Sequence, residues 1–172
     1  MKKTILMIIL CLMMSATASA AQVRICDFGL DTFINRYNDL AKKYDNQYIM
    51  MNPIKAKSVS LYDYYGVPLN NQLHGNSLII LVDKEGYVSS VLLTNDLPDN
   101  ALNTTNAIIN ILTIVGANNN EIKTALDLLE TRMVVYQWIN NTNRYVLIGC
   151  EDKNFNGAEL STFHFFGSDD RK

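Results

Sequence analysis

The chain has 172 residues, of which 48% are hydrophobic and 19% are charged, with 15 basic and 17 acidic side chains. This composition is far too apolar for a disordered chain and indicates one ordinary globular domain. A formal net charge of −2 provides no basic field for phosphate groups, which argues against nucleic acid as a partner.

The first 20 residues have the three-part pattern of a secretory signal peptide. Two lysines follow Met1, residues 5–14 form an unbroken apolar run, and residues 18–20 are the small-residue sequence Ala-Ser-Ala. We therefore expect cleavage before Ala21, a single mature domain at 21–172, and a bacterial protein that is periplasmic or secreted. Ten apolar residues cover only about half of a bilayer core, so no membrane span is expected after cleavage. Cleavage removes two lysines and no acid, which takes the net charge from −2 to −4.

Cleavage also removes Cys11 and leaves Cys26 and Cys150 in the mature chain. An even pair of cysteines in an oxidising compartment predicts one disulfide bond. Such a bridge would close a loop of about 125 residues and contribute on the order of 5 kcal/mol in the chain-entropy account. A metal-binding or nucleophilic cysteine is the alternative, but the chain has only two histidines and no C-x-x-C motif.

The first part of the mature chain predicts a helix followed by extended chain. Residues 28–44 repeat apolar side chains at the spacing i, i+3, i+4 and i+7, and Asp27 or Asp31 is placed to cap the start. Residues 48–65 have an extended pattern that Pro53 interrupts, which favours an edge strand over a central one.

The next segments predict a loop and a hairpin. Residues 66–76 are rich in Asn and contain Pro and Gly, so we expect a loop there. Residues 78–82 and 87–94 are the clearest strands, and the Asp-Lys-Glu-Gly sequence between them suits a hairpin turn.

The second part of the mature chain predicts two helices and then three strands. The helices are expected at 101–115, ended by Gly116, and at 120–131. The strands are expected at 133–139, 144–150 and 160–166.

Short turns between the strands favour antiparallel pairing over βαβ crossovers. We therefore predict an α+β fold in which helices pack on one face of an antiparallel sheet. A helix with three extended segments occurs twice, at 28–94 and 101–166, which makes two similar halves a hypothesis.

Residues 152–157, with the sequence DKNFNG, match the opening of a calcium-binding loop. The match ends there, because the twelfth position is Phe163 where a bidentate Glu is needed. We interpret the segment as a turn between two strands and expect no metal ion or other cofactor.

Motifs for nucleophilic catalysis are missing from the sequence. It has no G-x-S-x-G, and neither His74 nor His164 has a neighbour that marks it as a base. We therefore assign no catalytic residue. A cell-envelope hydrolase that uses carboxylates stays open as an alternative. Its candidate acids are Asp96, Asp99, Glu151 and Asp152.

The tyrosines suggest a binding surface. Tyr62, Tyr64 and Tyr65 lie around Asp63 just before a Gly-containing loop, and Tyr is enriched among residues that dominate protein interfaces. The alternative is that they cover a sheet face or enter the core. The leading hypothesis is a non-enzymatic protein-binding module of the inhibitor or immunity type, whose partner is another exported or envelope protein. A carrier of an apolar ligand, held between the sheet and the helix at 101–115, is a further alternative.

Overall fold

The structure is a computed structural model. It describes residues 24–44, 48–59, 61–69, 77–95, 101–129, 136–139, 145–155 and 158–168. The predicted signal peptide and three candidate site residues, His74, Asp96 and Asp99, lie outside the described residues.

The described chain forms three helices and seven strands. In chain order they are α1 (Leu30–Lys43), β1 (Ile54–Val59), β2 (Tyr62–Pro68), β3 (Ser77–Asp83), β4 (Val88–Asn95), α2 (Ala101–Ile114), α3 (Asn119–Leu129), β5 (Tyr136–Ile139), β6 (Tyr145–Phe155) and β7 (Ala158–Ser168).

All seven strands belong to one antiparallel sheet, in the order β1-β2-β3-β4-β7-β6-β5. Each side of this sheet is a meander of consecutive strands. The two meanders meet where β4 pairs with β7, with Leu92 opposite His164. The predicted α+β fold with an antiparallel sheet is confirmed.

The sheet has two chemically different faces. Residues directly opposite each other share a face, so Ile80, Val91 and Phe165 form one row across β3, β4 and β7. These residues belong to the same buried cluster as Phe33 of α1 and Ile111 of α2. We call this side of the sheet the helix face, because the helices contribute to its cluster.

The opposite side of the sheet is named the second face. It carries a small separate cluster made by Ile79 and Leu81, against which Tyr62, Tyr64 and Leu92 pack. The alternation of β3 explains the division, because successive residues of a strand belong to opposite faces.

The ends of α2 and α3 follow from local sequence. Gly116 has a φ of +94° and donates its N–H to the carbonyl of Thr113 at 3.2 Å. Ala117 donates to the carbonyl of Leu112 at 2.9 Å, which completes a Schellman motif and confirms the predicted end of the helix. Two residues later α3 begins with a capping box in which the Asn118 amide donates to the Glu121 carboxylate at 2.7 Å.

The start of α1 differs from the prediction. The helix begins after Gly29, which has no side chain to cap it, and Asp31 lies within its first turn. Backbone pairing fixes this end instead, because Gly29 forms an isolated antiparallel bridge with Tyr87.

Residues 24–29 form a strap across the turn between β3 and β4. The Ile25 amide donates to the Val88 carbonyl at 3.2 Å, and the Val88 amide donates to the Phe28 carbonyl at 3.2 Å. Arg24 Nε donates to Asp83 Oδ2 at 2.5 Å. These bonds join the chain before α1 to the predicted hairpin turn.

The extended segment predicted at 48–65 is two strands. β1 and β2 form an antiparallel hairpin, in which Val59 is opposite Tyr62. The sequence gives no turn signal there, because Ser60 and Leu61 are neither Gly, Asn nor Pro. The expected edge position is confirmed for β1. The two halves are consequently unequal, with one helix and four strands against two helices and three strands.

The segment that resembles a calcium loop lies at the end of a hairpin. β6 continues to Phe155 and β7 starts at Ala158, and these two residues are paired. Asp152 is opposite Ser161 within this ladder. Residues 152–155 are therefore strand where a turn was predicted, and residues 156–157, which connect the two strands, lie outside the described part.

The predicted Cys26–Cys150 disulfide is not supported. Cys26 Sγ lies 4.0 Å from the carbonyl of Val88, whereas Cys150 is opposite Phe163, which is opposite Leu93. Five positions along β4 separate Val88 from Leu93, or about 16 Å. A disulfide requires Cα atoms within about 7 Å. No two cysteines in the described chain lie at disulfide distance.

Candidate functional site

The three predicted binding tyrosines are divided between the two faces of the sheet. Tyr64 is opposite Leu81, and Tyr62 and Tyr64 pack against the cluster of the second face. Tyr65 is opposite Ile80 and packs against the main core. All three are half-buried. Strand alternation therefore leaves Tyr62 and Tyr64 as one surface and removes Tyr65 from it.

The strand next to these tyrosines is an exposed edge of the sheet. β1 has β2 as its neighbour in the sheet order, and all six of its residues are exposed. The edge at the other end is β5, which has four residues and a Trp138 that is 4% exposed. Of the two edge strands of the described sheet, β1 is the longer, with six residues against four.

Exposed apolar side chains occur in β1 and next to it in the chain. Within the described residues, five large hydrophobic side chains are exposed, to between 38% and 64%: Tyr44, Met51, Ile54, Val59 and Leu61. Ile54 and Val59 belong to β1, Met51 and Leu61 flank it in the chain, and Tyr44 follows α1. Exposed apolar side chains grouped on one surface typically mark an interaction site.

A β-bulge sets which side chains share a face at this edge. Lys55 is opposite Tyr65 and Lys57 is opposite Tyr64, so Ala56 is an extra residue without a partner in this register. Because of the bulge, Lys57 is on the second face and Lys55 is on the helix face.

The second-face row of β1 therefore reads Ile54, Lys57 and Val59. These three are opposite Gly66, Tyr64 and Tyr62. The row offers two exposed apolar side chains with a lysine between them, directly beside the two tyrosines.

The two lysines have different electrostatic environments. Asp63 accepts hydrogen bonds from Lys55 Nζ and from Ser58 Oγ, each at 2.6 Å. The bond from Lys55, followed by that from Ser58, lowers the pKa of Asp63, and the same bond raises the pKa of Lys55. Lys57 makes no ion pair with any residue that the structure describes.

A second polar feature lies at the centre of the sheet. Ser90 Oγ is 3.3 Å from His164 Nε2, and Ser90 has no exposed surface. The imidazole lies 4.8 Å from the Phe166 ring, measured between centroids. Burial lowers the pKa of His164 to about 4, so its imidazole is neutral at pH 7.

This serine–histidine pair is unsuited to nucleophilic catalysis. A general base works best with a pKa near the working pH, and a serine nucleophile needs a base that a third group orients. His164, with a pKa of about 4, is a weak base. The pair instead satisfies two polar groups in an apolar setting.

Of the four carboxylates proposed for a hydrolase, Asp96 and Asp99 lie outside the described residues. Glu151 and Asp152 occupy successive positions of β6, opposite Thr162 and Ser161. Among the described residues, no group of three or more His, Cys, Asp or Glu could hold a metal ion.

The residues expected to line an apolar ligand site are packed in the core. On α2, Ala107, Ile111 and Leu112 have no exposed surface and belong to the main cluster with Phe33.

Within residues 24–168, in the parts the structure describes, no helix has the length and apolar character that a membrane crossing requires.

Comparison with known proteins gives no match among family models, curated proteins or solved structures. Function is therefore inferred from the β1–β2 hairpin and its surroundings.

The sequence did not reveal the apolar edge as a site. Ile54, Val59 and Leu61 are of residue types that are common in strands. Whether their side chains are exposed depends on whether another strand pairs with β1, which the sequence does not show. The lysine-containing alternation after Pro53 was the available signal, because lysine and proline mark edge strands.

Proposed function

We propose that this protein is exported and acts as a non-enzymatic binding module for another exported or envelope protein. The observation that carries the proposal is the exposed β1 edge, which holds Ile54 and Val59, two of the five exposed large hydrophobic side chains of the described chain, and is flanked in the chain by two more, Met51 and Leu61. An inhibitor or immunity protein needs such a surface and needs no catalytic group. The proposed export rests on the three-part pattern of the first 20 residues.

A partner at this surface would cover the free side of β1 and the neighbouring tyrosines. An exposed edge strand presents unpaired backbone donors and acceptors, to which an extended segment of another chain can pair. Tyr62 and Tyr64 lie one strand further in on the second face, next to the exposed row of β1. Their rings supply large contact areas at a low cost in side-chain entropy.

Site-specific photo-crosslinking in the producing cell tests the binding proposal. A photoreactive residue at Leu61 should capture an envelope protein, and one at Lys123, exposed on α3, serves as the matched control. Replacing Tyr62 or Tyr64 by Ala should weaken capture, because loss of a hot-spot aromatic costs about 2 kcal/mol, or roughly thirtyfold in affinity. Equal capture from both positions, with no effect of the tyrosine variants, would reject this surface.

Export is tested separately by the mass of the protein in the periplasmic fraction or the medium. A chain that begins at Ala21 is expected. A chain that retains Met1 in the cytoplasm would reject the export proposal without bearing on the surface itself.

A further inference from the structure

We propose that β1 binds an extended segment of its partner by strand addition, and that this segment carries an acidic side chain between two apolar ones. The inference rests on the proposed function and specifies the chemistry of the partner at the same surface.

The backbone of β1 is suited to receive a strand. β1 contains no proline, ends the sheet, and pairs with β2 along one side from Ile54 to Val59, with the bulge at Ala56 as the exception. The side away from β2 therefore presents main-chain donors and acceptors along an exposed strand. An extended segment that pairs there gains main-chain hydrogen bonds, while its side chains provide specificity.

The side chains on the second face define the pattern of the partner. Ile54, Lys57 and Val59 form the outermost row. Their partners on β2 are evenly spaced two residues apart, because the bulge at Ala56 accounts for the extra residue of β1. A regular incoming strand can meet the same three positions with the same spacing. Opposite side chains lie about 4.5–5.5 Å apart, so apolar residues are favoured opposite Ile54 and Val59.

The charge of Lys57 determines which residue of the partner is favoured between the two apolar positions. Lys55 already pairs with Asp63 and lies on the helix face, whereas Lys57 makes no ion pair with a described residue. A carboxylate opposite Lys57 is attracted to it, and a basic residue there is repelled.

The same charges disfavour a second copy of this chain as the occupant. In an antiparallel pair of two β1 strands, the arrangement that sets Ile54 of one row opposite Val59 of the other also sets the two copies of Lys57 opposite each other. Like charges at these distances destabilise strand pairing.

Synthetic peptides provide the test. The probe is the blocked heptapeptide Thr-Val-Thr-Glu-Thr-Val-Thr, with Lys in place of Glu as its counterpart, and binding is followed by fluorescence anisotropy. The purified protein should bind the Glu peptide about tenfold more tightly than the Lys peptide. Lys57→Glu should reverse this preference, and Lys123→Glu on α3 should leave it unchanged.

Ala56→Pro separates strand addition from simple charge attraction. Ala56 has no partner in the β1–β2 register, and proline is tolerated at bulges and edges, so the variant is expected to fold. It should bind neither peptide, with an unchanged thermal unfolding curve as the check on folding.

Three results would overturn the inference. They are no binding of either peptide at millimolar concentration, binding that survives Ala56→Pro, and a dimer of the unliganded protein that this variant disperses, which would assign the edge to a second copy. If the peptides fail while crosslinking from Leu61 still depends on Tyr62 and Tyr64, strand addition is rejected and the proposed function stands. Failure of both measurements rejects both.

Discussion

The carbonyl oxygen of Gly86 lies 2.8 Å from the position that a Cβ atom on Gly29 would occupy. Gly29 ends the strap before α1, and Gly86 closes the turn between β3 and β4 with a φ of +90°. This close approach of two backbones lets the strap pair with Tyr87. The start of the helix and the hairpin are thereby held together.

Gly29→Ala is predicted to destabilise the protein by about 1–3 kcal/mol, because the added carbon meets a backbone atom that cannot move aside cheaply. Gly66→Ala is the matched control. Its Cβ would meet only the Ile54 carbonyl oxygen, at 3.9 Å, so the change should be neutral or stabilise by about 0.4–1 kcal/mol. Urea unfolding of both variants measures the difference, and equal effects would contradict the close approach.

Asp83→Ala is predicted to cost about 1–3 kcal/mol of unfolding free energy. Its Oδ1 accepts from the amides of Glu85 and Tyr87, each at 2.9 Å, and its Oδ2 accepts from Arg24. Loss of the Asp83 carboxylate therefore removes hydrogen bonds from both the β3–β4 turn and the strap.

Glu85→Ala is the control for Asp83. Glu85 also pairs with Arg24, but its side chain is 71% exposed, so its removal should cost only about 0–1 kcal/mol. Hydrogen exchange at Val88, whose amide bonds to the strap, should speed up more in Asp83→Ala than in Glu85→Ala. The reverse order would contradict the assigned roles.

Stability is predicted to fall as the pH decreases from 6.5 towards 4. The unfolded chain protonates His164 near pH 6.5, whereas the folded chain does so only near pH 4, so acid favours the unfolded state across this window. The full effect is about 3 kcal/mol, and it becomes constant below the folded pKa. His164→Gln should flatten the pH dependence of urea unfolding within this window. A steep slope that persists in His164→Gln would refute the prediction.

The pKa of Asp63, followed by NMR of its carboxyl carbon, is predicted to lie below the ordinary range for aspartate. Lys55→Met should move it back towards that range, because the hydrogen bond from Lys55 is the largest cause of the shift. Lys57→Met should leave it unchanged, since Lys57 is on the other face of the hairpin. An equal response to the two variants would show that general surface charge, and not the hydrogen bond, sets the shift.

Sequence patterns predicted those parts of the fold that depend on local chemistry. The periodicity of α1, the glycine at the end of α2, and the turn chemistry after Asp83 each specify a structure within a few residues. The edge position of β1 was predicted for the same reason, because Pro53 cannot donate a ladder hydrogen bond.

Features that depend on contacts distant in sequence were not predicted. The hairpin at Val59 and Tyr62 has no turn residue to mark it, and its register is set by pairing with β3. The predicted Cys26–Cys150 disulfide is not supported, because the number of cysteines in a sequence does not show how far apart the fold places them. Tyr65 was grouped with Tyr62 and Tyr64 by adjacency, although alternation places it on the other face.

The pairing of β4 with β7 has a consequence for how the chain acquires its structure. Leu92 and His164 are neighbours in the sheet but are 72 positions apart in the chain, and β7 is the last of the seven strands to be synthesised. Until β7 is available, β4 and β6 each lack a neighbour, and the two meanders have no sheet in common. Closing such a distant contact late makes folding slow and leaves strand edges open to aggregation. A chaperone that holds the incomplete chain would act on those two edges.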